Sequence, residues 1–236
     1  MHAGSLFGYT SLATLGGQTY GFPSTGLINF TVPTFTFGGH SYQRIGISEG
    51  GFAVPGGATV AEVNALYDDP RAMAIPDPAA PNPLFAPFMT PLYQNSSVGL
   101  RVLEVTQTTT SRQWAVFEWD LANIAGTYTQ FQLWVGLNGT DDVSYAYDTA
   151  HPPVVAPGVQ AEIGVENDEG NQGISLGSYA GSDYIVTATP KKAGGHATLS
   201  FTAVAGQAGT GTVTASFASN GVSGTLVRTT AVTVTS

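Results

Sequence analysis

The sequence predicts an all-β protein: an antiparallel β-sandwich of jelly-roll type with one short helix, followed by a small immunoglobulin-like β region. Three observations carry this. Of the 236 residues 30 are Gly and only 10% are charged, with Thr, Ser and Val abundant, a texture of short strands and tight turns. From Trp114 to Asp148 apolar and polar residues alternate with period 2 through three successive segments, which is an antiparallel meander. Between the second and third segments stands Asn138-Gly139, the pair that supplies the positive φ angles of a tight hairpin. Such a meander cannot bury its apolar face alone, so a second layer must cover it.

Taken in order, residues 1–25 are a Gly- and Ser-rich lead-in with small apolar anchors at Leu6-Phe7-Gly8-Tyr9 and Leu12-Ala13-Thr14-Leu15, expected to pair or dock late. Ile28, Phe30, Val32, Phe35 and Phe37 form an apolar series broken by Pro33, as on an edge or kinked strand. Gly38-Gly39-His40 is a turn, and Tyr42 to Ile47 and Phe52-Ala53-Val54 are strands around Glu49-Gly50-Gly51. Thr59 with Glu62 three residues on is a capping box that starts a short helix through Val63, Leu66 and Tyr67, ended by Asp68-Asp69-Pro70. From Ala74 to Pro91 six prolines predict an ordered loop or crossover with no ladder through it. Its apolar part, Leu84 to Met89, is expected to plug one end of the sandwich.

Val98 to Thr106 and Trp114 to Trp119 flank a polar turn. In the latter, Ala115, Phe117 and Trp119 are the expected core face, and Trp114, Val116 and Glu118 the other. Phe131, Leu133, Val135 and Leu137 point inward, which puts Gln130, Gln132 and Trp134 on the wetter face. A strand around Ala161 to Val165, a Gly-bounded loop through Asn167-Asp168-Glu169, and small-residue strands from Tyr184 onward complete the chain. The last four strands make an immunoglobulin-like module or complete the first sandwich.

The absence of Cys rules out a disulfide framework, a zinc-thiolate site and a Cys nucleophile. No stretch reaches the ~18 apolar residues of a membrane-spanning helix. Met1-His2-Ala3-Gly4 lacks the pattern of a signal peptide, so removal of a signal or excision from a larger chain is expected. The net charge of −9 is concentrated up to Ser175, where four arginines face fifteen acidic residues, and this argues against a nucleic-acid partner.

Few residues suggest chemistry. His40, in its Gly-Gly turn, and His151, before Pro152-Pro153, read as solvent-facing turn residues, since no nucleophile motif accompanies them. Asp141-Asp142 and Asn167-Asp168-Glu169 are the best oxygen-ligand clusters; a solvated acidic turn is the default reading, and calcium is the ion they would take, although neither has the spacing of an EF-hand. Trp134 beside Gln130 and Gln132 is the candidate ligand site: an exposed indole among amides suits a sugar ring or a partner surface, the alternative being that the second β module covers it.

The order of motifs resembles a known family. Phe35 to Tyr42, Ile45-Gly46-Ile47-Ser48-Glu49-Gly50-Gly51-Phe52, Asn82-Pro83-Leu84-Phe85-Ala86-Pro87-Phe88, Phe117-Glu118-Trp119, Val143-Ser144-Tyr145-Ala146-Tyr147 and Gly164-Val165-Glu166-Asn167-Asp168-Glu169-Gly170 follow one another as in the nidogen-like β-sandwich accessory region of bacterial secreted subtilisin-like serine proteases. The resemblance covers roughly residues 26 to 175. One departure is that Met89-Thr90-Pro91-Leu92 stands where the family commonly has Trp and an acidic residue.

What the resemblance implies is a lead-in over 1–25, a nidogen-like sandwich over 26–183 and a small immunoglobulin-like module over 184–236. The expected protein is secreted, non-catalytic and monomeric as an isolated module. It would bind or position a protein or polysaccharide substrate for a secreted protease, with no cofactor unless calcium. No catalytic triad is expected, because no Gly-Thr-Ser-Met-Ala, His-Gly-Thr or Asp-Thr-Gly segment occurs. The alternative is a structural or adhesion module with no ligand of its own.

Overall fold

A computed structural model describes residues 1–4, 7–68, 74–79, 81–94, 98–140, 142–186, 209–219 and 222–232. In chain order the elements are β1 (His2–Ala3), β2 (Gln18–Tyr20), β3 (Leu27–Phe37), β4 (His40–Ser48), β5 (Phe52–Pro55), α1 (Val60–Asp68), β6 (Leu84–Met89), β7 (Leu92–Tyr93), β8 (Leu100–Gln107) and β9 (Arg112–Asn123). There follow β10 (Tyr128–Leu137), β11 (Val143–Tyr147), β12 (Glu162–Glu166), β13 (Gly173–Ser175), β14 (Tyr184–Val186), β15 (Gly209–Ser219) and β16 (Val222–Val232).

The chain divides into two units, Met1–Lys191 and Lys192–Ser236. The first is the predicted all-β sandwich of two antiparallel sheets. One sheet has eight strands in the order β1-β14-β11-β10-β9-β8-β2, with β7 on the end of β9, and the other has six, in the order β13-β12-β6-β5-β4-β3. The second unit contains the β15–β16 hairpin, paired from Gly209↔Val232 to Ser219↔Val222. Residues 187–208, where further small-residue strands of the tail are expected, lie outside the described residues.

The core between the sheets follows the alternation read from sequence. Phe117, Trp119, Phe131, Leu133 and Tyr145 from the eight-stranded sheet meet Phe35, Phe37, Ile45, Ile47, Phe85 and Phe88 from the other. Trp119 stacks on Phe131 with ring centroids 5.1 Å apart, and Phe88 stands edge-on to Phe131 at 5.7 Å. Three polar tips then join the layers instead of lying unpaired in the core. The Trp119 indole N–H donates to Ser48 O at 2.8 Å, Tyr145 OH to Gly164 O at 2.8 Å and Tyr147 OH to Pro87 O at 2.6 Å. Buried donors of this kind must find acceptors, so these three tie the relative position of the two sheets to backbone atoms.

The meander forms as expected, with Phe131↔Trp119 and Leu133↔Tyr145 in register and positive φ at Asn138 and Gly139. Pro33 sits where β3 loses register with β4, between Thr31 and Phe35, on the edge of the six-stranded sheet. The capping box is also present: Glu62 Oε2 accepts Thr59 N at 2.7 Å, and the Thr59 hydroxyl accepts Glu62 N at 3.3 Å. At Gly51, in the β4–β5 turn, φ is +75° and a Cβ would fall 2.0 Å from Phe88 O.

Two expectations are corrected, and one that the sequence left open is decided in part. Leu84 to Met89 is no plug: it is strand β6, wholly buried inside the six-stranded sheet. Its proline is tolerated because pairing with β12 passes from Ala86↔Gly164 to Met89↔Glu162 across a register shift, so Pro87 stands where the ladder asks for no N–H. Of the two readings of the tail, Tyr184 to Val186 follows the second and completes the sandwich, since β14 pairs with β11. The face carrying Trp114, Val116, Glu118, Gln132 and Trp134 is not wet either, for all five are buried.

Candidate functional site

What covers that outer face is the lead-in. It starts as β1 on the β14 edge (His2↔Ile185, Ala3↔Tyr184) and ends as β2 on the β8 edge (Gln18↔Val102 to Tyr20↔Leu100). Between these anchors the chain runs as a strap across the sheet. The rows beneath it are set by register: Leu103, Val116, Trp134 and Ser144 lie abreast, and next to them Arg101, Glu118, Gln132 and Ala146. One row is largely apolar and the other largely polar, and the strap meets both.

The strap's apolar contact is one cluster of Leu12, Trp114, Val116, Trp134 and Ala146, with Tyr9, Leu103 and Val105 against it. Phe7 stands edge-on to Trp114 at 5.0 Å and tilted against Trp134 at 5.1 Å. Leu12 begins a tight turn in which its carbonyl accepts from Leu15 N and Gly17 N, so its side chain is presented to the sheet and becomes fully buried.

The polar grip is made by sheet side chains on strap backbone. Glu118 Oε2 accepts Leu12 N at 2.8 Å, and Gln132 Nε2 donates to Thr10 O at 2.7 Å and to Glu118 Oε2 at 2.8 Å. Gln132 Oε1 in turn accepts the Trp134 indole N–H at 3.0 Å. Tyr9 OH donates to Gln130 Oε1 at 3.2 Å. Burial, and after it the nearby Glu118 carboxylate, push the Tyr9 phenol well above its ordinary pKa, so this hydroxyl keeps its proton as a donor.

Arg101 lies between two carboxylates, with Nη1 3.0 Å from Glu118 Oε1 and also bonded to Asp120 Oδ2. One guanidinium thus faces two buried carboxylates. Among the described residues, Asp120 Oδ1 and the Trp114 indole N–H are buried with no hydrogen-bond partner.

The ligand residues named from sequence, Trp134, Gln130 and Gln132, therefore do lie together, but they are engaged by the chain's own N-terminal segment. Trp134 is 4% exposed, which corrects the expected open platform: Phe7 and the Gln132 amide occupy its surroundings. Sequence reading missed Arg101, Glu118, Asp120 and Tyr9. Glu118 and Asp120 share a strand face two residues apart, which is the sequence signal for them; their partners in the lead-in carry none.

The described metal candidates are engaged by other partners. Asp141 lies outside the described residues, and Asp142 is paired with Arg112. Asn167 Oδ1 accepts Asn171 N at 3.1 Å and Gln172 N at 3.0 Å, Glu169 Oε2 accepts the Asn171 amide at 2.7 Å, and Asp168 lies 3.1 Å from His40. These oxygens organise a turn. Among the described residues no group of three or more His, Asp or Glu is arranged to hold a metal ion.

One further carboxyl lies near that turn. Glu166, nearly fully buried, accepts Asp77 N at 2.9 Å, and burial raises its pKa to about 7 against that hydrogen bond. His151 Nδ1 is 2.7 Å from Asp148 Oδ2, and its ring meets Tyr128 edge-on at 5.2 Å.

No family model, curated protein or solved structure matches this chain.

Proposed function

We propose that this chain is a non-catalytic, secreted recognition module of the kind its motif order resembles, one that binds or positions a protein or polysaccharide substrate for a secreted subtilisin-like protease. The observation that supports this is the outer face of the eight-stranded sheet. A sheet face left to solvent carries small polar and charged residues; this one carries Trp114, Trp134, Gln132, Arg101, Glu118 and Asp120, a set able to stack and to form directed hydrogen bonds.

The test is retention of the purified chain on insoluble polysaccharides and fibrous proteins, repeated with Trp134→Ala. Specific retention that falls in the variant is the expected result. Retention on none of them would remove the recognition reading, and undiminished retention in the variant would clear Trp134 of a role.

The second reading, a structural or adhesion module without a ligand, is favoured by the strap, which already uses Trp134, Gln130 and Gln132. A role for calcium is checked by melting with and without a chelator: if Asp142 or the Asn167-Asp168-Glu169 turn holds the ion, the melting temperature falls on chelation.

A further inference from the structure

We propose that the outer face of the eight-stranded sheet is a peptide-recognition site and that residues 7–12 are its resident ligand in cis, displaced by a partner polypeptide of the same pattern. That pattern is an aromatic residue, a second aromatic two positions on and an aliphatic residue three further, as in Phe7, Tyr9 and Leu12. The proposal rests on the recognition reading above and narrows its ligand to an extended polypeptide.

The first argument is that the face holds main chain. Glu118 takes the N–H of Leu12 and Gln132 gives an N–H to the carbonyl of Thr10, so an acceptor and a donor on adjacent strands match a donor and an acceptor two residues apart on a peptide. Backbone capture combined with side-chain sockets is how extended peptides are recognised. Here the sockets are the closed cluster that takes Leu12, the Trp114 ring that meets Phe7, and Gln130, which accepts the Tyr9 hydroxyl.

The second argument is that the strap is an incomplete ligand. The Trp114 indole N–H and Asp120 Oδ1 belong to residues that are 0% and 3% exposed, yet neither atom has a partner. Leaving such groups unpaired is costly. A peptide that adds a carbonyl for Trp114 and a lysine or arginine for Asp120 would satisfy both, and its positive charge would balance the second carboxylate facing Arg101.

The third argument is that the strap can leave. Its anchors β1 and β2 are two and three residues long, whereas β8, β9 and β10 pair with one another without it. Phe7 is 48% exposed although it touches both tryptophans, so one end of the contact is open to competition.

The experiment uses the full chain, wild type and Leu12→Ala, with a fluorescent synthetic peptide of residues 4–17. Because the tethered strap competes at high local concentration, the peptide should bind the variant saturably and at least about tenfold more tightly than it binds wild type. Methylating the peptide's Leu12 amide nitrogen removes the donor that Glu118 accepts, and should weaken binding by about tenfold or more. No saturable binding, equal binding to both chains, or equal binding of the methylated peptide would overturn the proposal.

Should Leu12→Ala fail to fold, excess peptide on the wild-type chain must accelerate hydrogen exchange at its own Leu12 amide, and unchanged exchange gives the same negative answer. Displacement of the strap by a soluble polysaccharide but not by the peptide would overturn it too, as would polymer retention that the peptide does not inhibit. Either of those results leaves the broader recognition reading standing.

Discussion

The carboxylate of Glu118 accepts the backbone N–H of Leu12 at 2.8 Å across 106 residues of sequence. Through this bond a strand in the middle of the eight-stranded sheet holds a turn of the N-terminal strap. Leu12 supplies the apolar half of the same contact, so replacing it by Ala should detach the strap. The expected loss is about 2–5 kcal/mol of local stability, read as faster amide exchange through residues 9–17 while β9 and β10 keep their protection. Loss of protection in both regions at once would show that strap and sheet unfold as one unit.

Arg101 is the partially shielded cation between Glu118 and Asp120. Arg101→Met preserves much of the side-chain volume but leaves two buried carboxylates without their counter-charge. Breaking a buried pair in this way costs about 3–5 kcal/mol. Chemical denaturation should show a loss of that order, and the double variant Arg101→Met with Asp120→Asn should recover part of it. A single variant as stable as wild type would show that the guanidinium is not needed to keep the two carboxylates buried.

Glu166 makes stability depend on pH in an unusual direction for a carboxyl. Its folded pKa, about 7, lies above the ordinary value of 4.5, so the folded chain holds this proton more tightly than the unfolded chain does. The stabilisation is complete below about pH 4.5 and is lost as pH rises through about 7. Melting temperature should therefore fall between pH 5 and pH 8, and Glu166→Gln, which cannot ionise, should remove that part of the slope. An equal slope in the variant would assign the dependence to other groups.

Gly51 tests the turn that brings β5 against β6. With φ at +75° and the Phe88 carbonyl 2.0 Å from where a Cβ would lie, Gly51→Ala needs both a strained backbone and a displaced strand. Its cost should exceed the ~1–3 kcal/mol of a strained backbone position alone, with a clear drop in melting temperature. Gly38→Ala also has positive φ, but nothing within 4 Å of the added carbon, and should cost less.

How much of this was legible in sequence depended on whether a residue's role is local. Ala115, Phe117 and Trp119 declare the core face by alternation, Asn138-Gly139 declares its hairpin, and Thr59 with Glu62 declares the helix start, because each signal lies within a few residues. Pro87 misled because its own strand bulges there, Pro87 and Phe88 together facing Ile163 of β12, and that partner strand is far away in the chain. Gln130, Gln132 and Trp134 misled for a related reason. Polar side chains at alternate positions read as solvated, but Gln132 is buried with its hydrogen bonds made to Thr10, Glu118 and Trp134. Nothing near Thr10 or Leu12 in sequence names the strands they meet.

The pinning of β1 and β2 to opposite edges of the eight-stranded sheet also bears on how the protein is made. Residues 1–20 are made before every strand they cover, and the strand that receives β1 is not synthesised until Tyr184–Val186. Until then β11 is a sheet margin without its partner β14, and open margins invite pairing with a neighbouring molecule. Closure of the strap comes last because it spans the longest separation in the sandwich. A segment made before the sheet thus acts as its final fastening, and a nascent chain that lacks residues 1–20 is expected to aggregate during synthesis.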